Sequence, residues 1–276
     1  MGADVKITLV SERPAVANVA ANLETVARHV RAAPGELVVF GEVFLQGYMA
    51  RDKLHATALS VKGPEFDSLK RLAKETGKHI LLGFARRDDE RRGVIYDSAA
   101  LVTPKGKVET YDKWFLANFG PFEEKLYYAP GQRLKVWDVN GARLGVEICY
   151  DLFFPELTKA YAMLGADILV NLSASPSTSR ANFERLFPAR ALETGTFFVY
   201  CNVAGTQEDL VFWGGSQVWG PRGDEKAKAP LLDPSVITVD LALEEVEAAR
   251  PLRPTVRDTR KEMIDALQKS FKALQK

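Results

Sequence analysis

Short apolar runs alternate along this chain with stretches whose apolar residues recur every three or four positions. The run VKITLV is followed by Val16, Val19, Ala20, Leu23, Val26, Ala27 and Val30 at helical steps, and then by the run ELVVF. This predicts a strand, a helix and a second strand, because recurrence near 3.6 marks one helix face and a short continuous apolar run marks a strand. A second helix is predicted near Glu65 to Glu75, leading into HILLGFA and IYDSAALVT. After a loop-rich middle, strands LKVWDV and RLGVEIC precede a helix from about Pro155 to Leu164, the strand DILVNLS, a helix around Ala181 to Glu193, and the strand FFVYCNV. GGSQVWG and VITVDL are further β runs, and PRGDEKAKAP between them has the glycine, prolines and charges of a solvated turn.

No internal repeat, low-complexity tract or linker interrupts the alternation, so residues 1–276 are expected to form one domain. The last segment, Arg257 to Lys276, is strongly charged and spaces Met263, Ile264, Leu267, Phe271 and Leu274 on one helical face. That stripe is expected to pack on the chain's own core, with contact to a second subunit as the alternative.

The charge balance narrows the class of partner. With 37 Lys plus Arg against 36 Asp plus Glu and a net charge of +1, nothing supports a nucleic-acid surface or a polybasic membrane patch, and a small-molecule partner is expected. The two cysteines, Cys149 and Cys201, cannot make a disulfide framework, and no Cys or His spacing suggests a zinc site. Asp4 and Lys6 interrupt the N-terminal apolar stretch that a signal peptide needs, and no run is long enough to span a bilayer. A soluble protein of the reducing cytoplasm is expected.

Three contexts carry candidate chemistry. Glu42 in LVVFGEVFLQGY stands just past a continuous apolar strand, where a carboxylate either meets solvent or points into a cleft at the carboxyl edge of the sheet. Lys113 in ETYDKWFL is either an exposed turn lysine or a cation near a reactive thiol. Cys149 in VEICYDLFFPE closes a strand and opens what reads as a helix, and a free cysteine there is either a small buried hydrophobe or a nucleophile. Together the three types supply acyl transfer to a thiol. The lysine favours thiolate and faces the developing oxyanion, and the carboxylate carries protons from thiol to leaving nitrogen and then activates water.

A cysteine–histidine pair competes with this scheme. His29, His55 and His79 are the only histidines, none stands in a local signature, and all three are read as structural. GGSQVWG lacks the spacing of a serine nucleophile elbow, and SASPSTS reads as a polar loop.

The segments LVVFGEVFLQGY, YDKWFL, FEEKLYYAPG, GVEICYDLFFPEL, GADILVNLSASP, RALETGTFFVYCNVAG and GGSQVWGPRG occur in that order. They resemble the nitrilase superfamily of carbon-nitrogen hydrolases across nearly the whole chain. The resemblance implies an α/β fold, a four-layer α-β-β-α sandwich. It also implies Glu42 as general base, Lys113 as oxyanion stabiliser and Cys149 as nucleophile. Glu124 matches a second glutamate that many members keep beside the lysine, and the backbone N–H of Tyr150 would join Lys113 in the oxyanion hole. Tyr48, Phe119, Phe153 and Ser173 are the expected substrate-pocket residues. No metal or organic cofactor is implied.

Some positions depart from the family pattern. Gly41 replaces the proline that usually precedes the base, which is expected to loosen that turn. Leu152 and Phe153 stand where some carbamoyl-amino-acid hydrolases carry arginines for a substrate carboxylate, which disfavours an anionic substrate. Thr194 stands after Glu193 where asparagine is common. VNLSAS is similar to the glutaminase domains of glutamine-dependent NAD synthetases, although an attached synthetase domain is not expected. The expected activity is hydrolysis of a linear small-molecule carboxamide through a thioester, releasing ammonia or an amine. The alternatives are a nitrilase, a glutaminase-like amidase, or a non-catalytic binding protein. A homodimer is expected, with the Pro155 to Leu164 helix near its two-fold axis.

Overall fold

The apolar runs become strands covered on both sides. The computed structural model describes residues 4–275. The first sheet is built from β1 (Asp4–Ser11), β2 (Leu37–Phe40), β3 (His79–Arg87), β4 (Ile95–Val102), β5 (Val108–Asp112) and β14 (Ser235–Ala242), in the order β14-β1-β2-β3-β4-β5. The second is built from β6 (Trp137–Val139), β7 (Ala142–Ile148), β8 (Ile168–Ser173), β9 (Phe197–Asn202), β12 (Gln217–Trp219) and β13 (Glu225–Lys228), in the order β13-β12-β9-β8-β7-β6. A separate hairpin joins β10 (Ala204–Gln207) to β11 (Leu210–Trp213).

Helices α1 (Val19–Ala32) and α3 (Pro64–Thr76) belong to the first sheet, and α5 (Pro155–Met163) and α6 (Arg180–Thr194) to the second. Between them in the chain lie the short turns α2 (Leu54–Thr57) and α4 (Glu124–Tyr127), and α7 (Glu244–Leu252) and α8 (Lys261–Leu274) close it. Leu37, Val39 and Leu81 share a buried cluster with Leu144, Val146 and Ile148 of the opposing sheet. The alternate residues Val38, Phe40, Ile80 and Leu82 cluster instead with Val26 and Val30 of α1 and Phe66, Leu69 and Leu72 of α3. Successive side chains of a strand point to opposite faces, so a strand between a helix layer and a second sheet must be apolar throughout. This is the four-layer α-β-β-α sandwich.

The two sheets share one plan that no sequence repeat reveals. In each, three parallel strands (β1, β2, β3 and β7, β8, β9) carry an antiparallel partner beside the first and two antiparallel strands beyond the third. Two sequence expectations fail at the sheet edges. β5 lies in the stretch expected to be loop, because its Glu109 and Thr110 hide a strand exposed along one edge. PRGDEKAKAP contains β13, whose charges suit an outer strand that must not recruit further partners.

The apolar stripe of the last helix does not pack at home. No residue of α8 is buried, and Met263, Ile264, Leu267, Phe271 and Leu274 are all exposed. On α5 the reverse holds: Leu157 and Tyr161 fill the chain's own core, which leaves only Met163 and Leu164 outward for the expected two-fold contact.

A carboxyl of the second sheet is buried with too little around it to hold a charge. Glu147 of β7 is wholly buried and neither of its oxygens accepts a hydrogen bond. Burial, reinforced by Asp151 and opposed by Arg190, raises its pKa from 4.5 to about 8. Between those values the folded protein binds one more proton than the unfolded chain, so this group's contribution makes stability fall as pH rises. Glu147→Gln should therefore gain stability over the parent from pH 5 to pH 8, by at most about 1.4 kcal/mol per pH unit. Denaturant unfolding of both proteins at the two pH values reads the difference, and a pH-independent difference would show that the carboxyl is not held protonated.

Candidate active site

Four side chains from four separate segments meet around one buried ammonium. Lys113, the residue after β5, donates from Nζ to Glu42 Oε1 at 2.6 Å and to Glu124 Oε1 at 2.8 Å, and lies 3.4 Å from Asp97 Oδ2. All four side chains are closed off from solvent. Desolvation opposes the ammonium, but Glu124, Glu42 and Asp97 outweigh it and hold Lys113 well above the ordinary lysine range. One oxygen from each of the three carboxyls lies within 4.8 Å of the others, a donor set of the kind a cation could use. The lysine already contacts all three.

The glutamates are fixed by further donors. Glu42 Oε2 accepts the backbone N–H of Ala174 at 2.6 Å. Glu124, at the start of α4, accepts Tyr48 Oη–H at 2.8 Å on Oε1 and the Ala117 N–H at 2.9 Å on Oε2. Tyr48 thus enters the site by holding a glutamate.

The turn that carries Glu42 is clamped between the two sheets. From the first sheet, Gly83 donates its N–H to Gly41 O at 3.1 Å; from the second, Ser173 O accepts the Glu42 N–H at 3.3 Å. Val43 is held at φ 43°, a genuine outlier for a β-branched residue. A side chain on Gly83 would stand 2.5 Å from Gly41 O and Val43 N and 2.6 Å from Glu42 Cα. Gly41 is crowded too, since a Cβ there would lie 2.8 Å from Ser173 O. The expectation that Gly41 loosens the turn is corrected: glycine lets the turn lie flush against β8 and Val203.

Cys149 stands where β7 ends, the first residue of a 3-10 turn Cys149–Phe153, at φ 45° and 5% exposed. Asp151 bolts this elbow to the lysine segment. Its Oδ2 accepts Ile148 N–H at 3.0 Å and Tyr111 Oη–H at 2.7 Å, and its Oδ1 accepts Phe115 N–H at 2.9 Å. The N–H of Tyr150 lies in the first turn of a helix, where N–H groups have no intrahelical acceptor. Burial pushes the Cys149 thiol well above its ordinary range, Glu42 adds to this, and Lys113 only partly opposes it. The expectation that the lysine favours a resting thiolate is corrected, because that ammonium is already shared among carboxyls. At rest Cys149 is therefore held as a thiol.

Aromatic rings cluster around Tyr150, next to Cys149, and around Tyr48. Tyr150 packs on Phe119 with ring centroids 5.0 Å apart, on Phe154 at 5.3 Å and on Phe153 at 5.6 Å, and Tyr48 lies 6.3 Å from Phe122. Phe119 is half exposed. Ser173, fully buried at the end of β8, donates its hydroxyl to Asn171 Oδ1 at 2.7 Å, and Asn171 in turn donates to Cys149 O at 3.3 Å. It backs the elbow as part of the wall. Cys201 is a core residue, its thiol pushed up to about 12 by burial. The histidines stand apart: His29 bonds Glu12, His55 is exposed, and His79 is a buried strand residue.

The sequence matches the profile of the carbon-nitrogen hydrolase family over residues 6–251. The chain belongs to this family. It is 31% identical over 251 residues to a glutamine-dependent NAD(+) synthetase of Thermotoga maritima, covering 87% of this chain and spanning only 42% of the synthetase. It is 30% identical over 259 residues to an (R)-stereoselective amidase of a Pseudomonas species, covering 93% of this chain and 92% of that one. Among solved structures, an amidase of the nitrilase superfamily from Nesterenkonia AN1 matches with a TM-score of 0.82 and 26% identity, over 97% of this chain and 98% of that one. In a variant of that amidase, the acetamide moiety of fluoroacetamide is covalently added at the active-site cysteine.

Two carboxyls of this carbon-nitrogen hydrolase escaped the sequence reading. Asp97 sits in β4, IYDSAALV, whose residues are all buried, and a lone carboxyl in such a strand is the signal that could have found it. Asp151 follows the nucleophile by two residues and reads as ordinary helix-start chemistry.

The clamp on the Glu42 turn yields a test. Gly83→Ala puts a methyl against backbone atoms of Gly41 to Val43 that have no room to give. It should displace the glutamate and lower kcat by at least about tenfold, since small misplacements of a catalytic group carry costs of this order. Circular dichroism would verify that the sandwich persists, and a rate equal to the parent's would show that the turn does not position Glu42.

Proposed function

We propose that this carbon-nitrogen hydrolase cleaves a linear, uncharged carboxamide through a thioester on Cys149. The observation that carries the reading is the buried Lys113 ammonium hydrogen-bonded to both Glu42 and Glu124, beside a cysteine held on a strained elbow. Backbone strain of this kind clusters at reactive sites. In the proposed sequence the Cys149 sulfur attacks the carbonyl carbon while its proton passes to Glu42. Lys113 and the Tyr150 N–H receive the oxyanion. The C–N bond then breaks as Glu42 returns the proton to the nitrogen, which leaves as ammonia or an amine. Water attacks the thioester as Glu42 takes its proton, the C–S bond breaks, and Glu42 returns that proton to the Cys149 sulfur as the carboxylic acid leaves.

The aromatic cluster around Tyr150 supports an acyl group that is apolar rather than anionic. Phe153 packs on Phe183 with centroids 5.2 Å apart, and Arg190 nearby is spent on Leu152 O and Glu193. Neither offers a cation to a carboxylate. Two unpaired cysteines support a reducing, cytoplasmic setting. The α8 stripe supports a homodimer, and light scattering at micromolar concentration should report twice 30.6 kDa. A fully active 30.6 kDa species would remove the dimer from the proposal.

The decisive experiment is ammonia release from a panel of amides and the matching nitriles. Amides should be turned over and nitriles not, whereas preferred turnover of nitriles would make the enzyme a nitrilase and turnover of neither would favour a binding protein. Cys149→Ala should abolish turnover with the fold intact, and retained activity would sink the nucleophile. Lys113→Met should lower kcat by roughly a hundredfold or more, the usual scale for one oxyanion donor. Lys113→Arg should not rescue, because a planar guanidinium cannot replace a compact ammonium at one oxygen.

A further inference from the structure

Three carboxyls and one ammonium cannot all be ionised in a space closed off from solvent. Counted as ions, Glu42, Glu124, Asp97 and Lys113 would carry a buried excess of two negative charges, and like carboxylates sharing a site force one to keep its proton. The hydrogen bonds say which. Glu124 accepts three donors, from Lys113, Tyr48 and Ala117. Glu42 accepts two, from Lys113 and Ala174. Neither oxygen of Asp97 accepts any, and its nearest cation is Lys113 at 3.4 Å. An anion there would be unsatisfied, whereas a carboxylic acid has a proton to give.

We propose that Asp97 is a positioning residue: a buried carboxylic acid that donates its proton in a hydrogen bond to Glu42 and thereby sets the proton affinity of the base. The inference rests on the reading of Glu42 as that base. Backbone register fixes the placement, since the Lys113 N–H bonds Asp97 O at 2.9 Å on the adjoining strand edge. The groups facing the carboxyl are Glu42 beyond β2, Lys113 beyond β5, Glu124 of α4, and Tyr128. Burial first, and then Glu42, hold the Asp97 carboxyl well above the ordinary aspartate range, with Lys113 opposing. A neutral Asp97 makes no claim on the third N–H of Lys113, which stays available to an oxyanion.

The test is the pH dependence of kcat/KM, whose acid limb reports protonation of the base. Asp97→Asn replaces an acid by a neutral donor of the same shape, so its acid limb should stay within about half a pH unit of the parent's. Asp97→Ala withdraws the donor from a buried carboxylate, so its acid limb should move up by about one unit or more. A downward move of about one unit in Asp97→Asn would mean that a negative charge had been removed, and would overturn the proposal. An unmoved limb in Asp97→Ala would overturn it as well, even with a lowered rate or melting temperature, because a merely structural role predicts that result. If Asp97→Ala fails to fold, the nearly isosteric Asp97→Asn decides alone. Alkylation of Cys149 by iodoacetamide across the same pH range repeats the comparison without turnover. It should place the three proteins in the same order, and failure of the amide panel would then count against the proposed activity while leaving Asp97 to be judged.

Discussion

The ammonium of Lys113 is the point on which the site depends. A lone buried charge of either sign would cost several kcal/mol even after relaxation, so neither the lysine nor the glutamates could be kept there singly. Each is retained because the others are present. The donors also differ in what they leave free: Glu124 is saturated by three partners, while Glu42 has two and faces a third carboxyl. The saturated glutamate anchors the lysine, although burial holds its own carboxyl above the ordinary glutamate range, with Lys113 opposing. On the proposed roles, the less saturated one is the group that takes up and returns the proton.

That cluster can exist only where two sheets face each other. Glu42 hangs from the first sheet yet is held by Ser173 and Ala174 at the end of β8 in the second, and Cys149 hangs from the second yet is tied through Asp151 to Tyr111 of β5 and Phe115 just beyond it. The cross-links carry the strain at Val43 and Cys149, which costs of order 1–3 kcal/mol per residue and persists only where the surroundings overdetermine it. The fold thereby converts inter-sheet packing into a fixed spacing between Glu42 and Cys149, the proposed base and nucleophile.

Legibility from sequence followed burial and edge position. Strands covered on both faces were plain, because LVVF has no polar position and ILVNLS has only Asn171 and the terminal Ser173 among its apolar residues. β5 and β13 were not, since their outward residues are charged or polar and imitate loop. Glu42, Lys113, Glu124 and Cys149 stood out because each lies within an ordered motif. Asp97 did not, since its role depends on which strands adjoin: β4 becomes informative only when β5 is known to lie beside it. The α8 stripe misled for a related reason. Periodicity shows that a helix has an apolar face and is silent about what covers it.

Charge movement explains why a thiol of raised pKa is no handicap here. On the proposed roles, attack transfers a proton from sulfur to Glu42 and a negative charge from Glu42 to the substrate oxygen. The buried total does not change. One N–H of Lys113 already reaches Glu42 at 2.6 Å, so as the glutamate becomes neutral the ammonium is released toward the oxyanion forming beside it. Such a site does not stabilise a free thiolate, which its carboxylates would oppose. It stabilises the displacement of one negative charge across a fixed ammonium, and fixed dipoles and charges do this without the reorganisation that water would require.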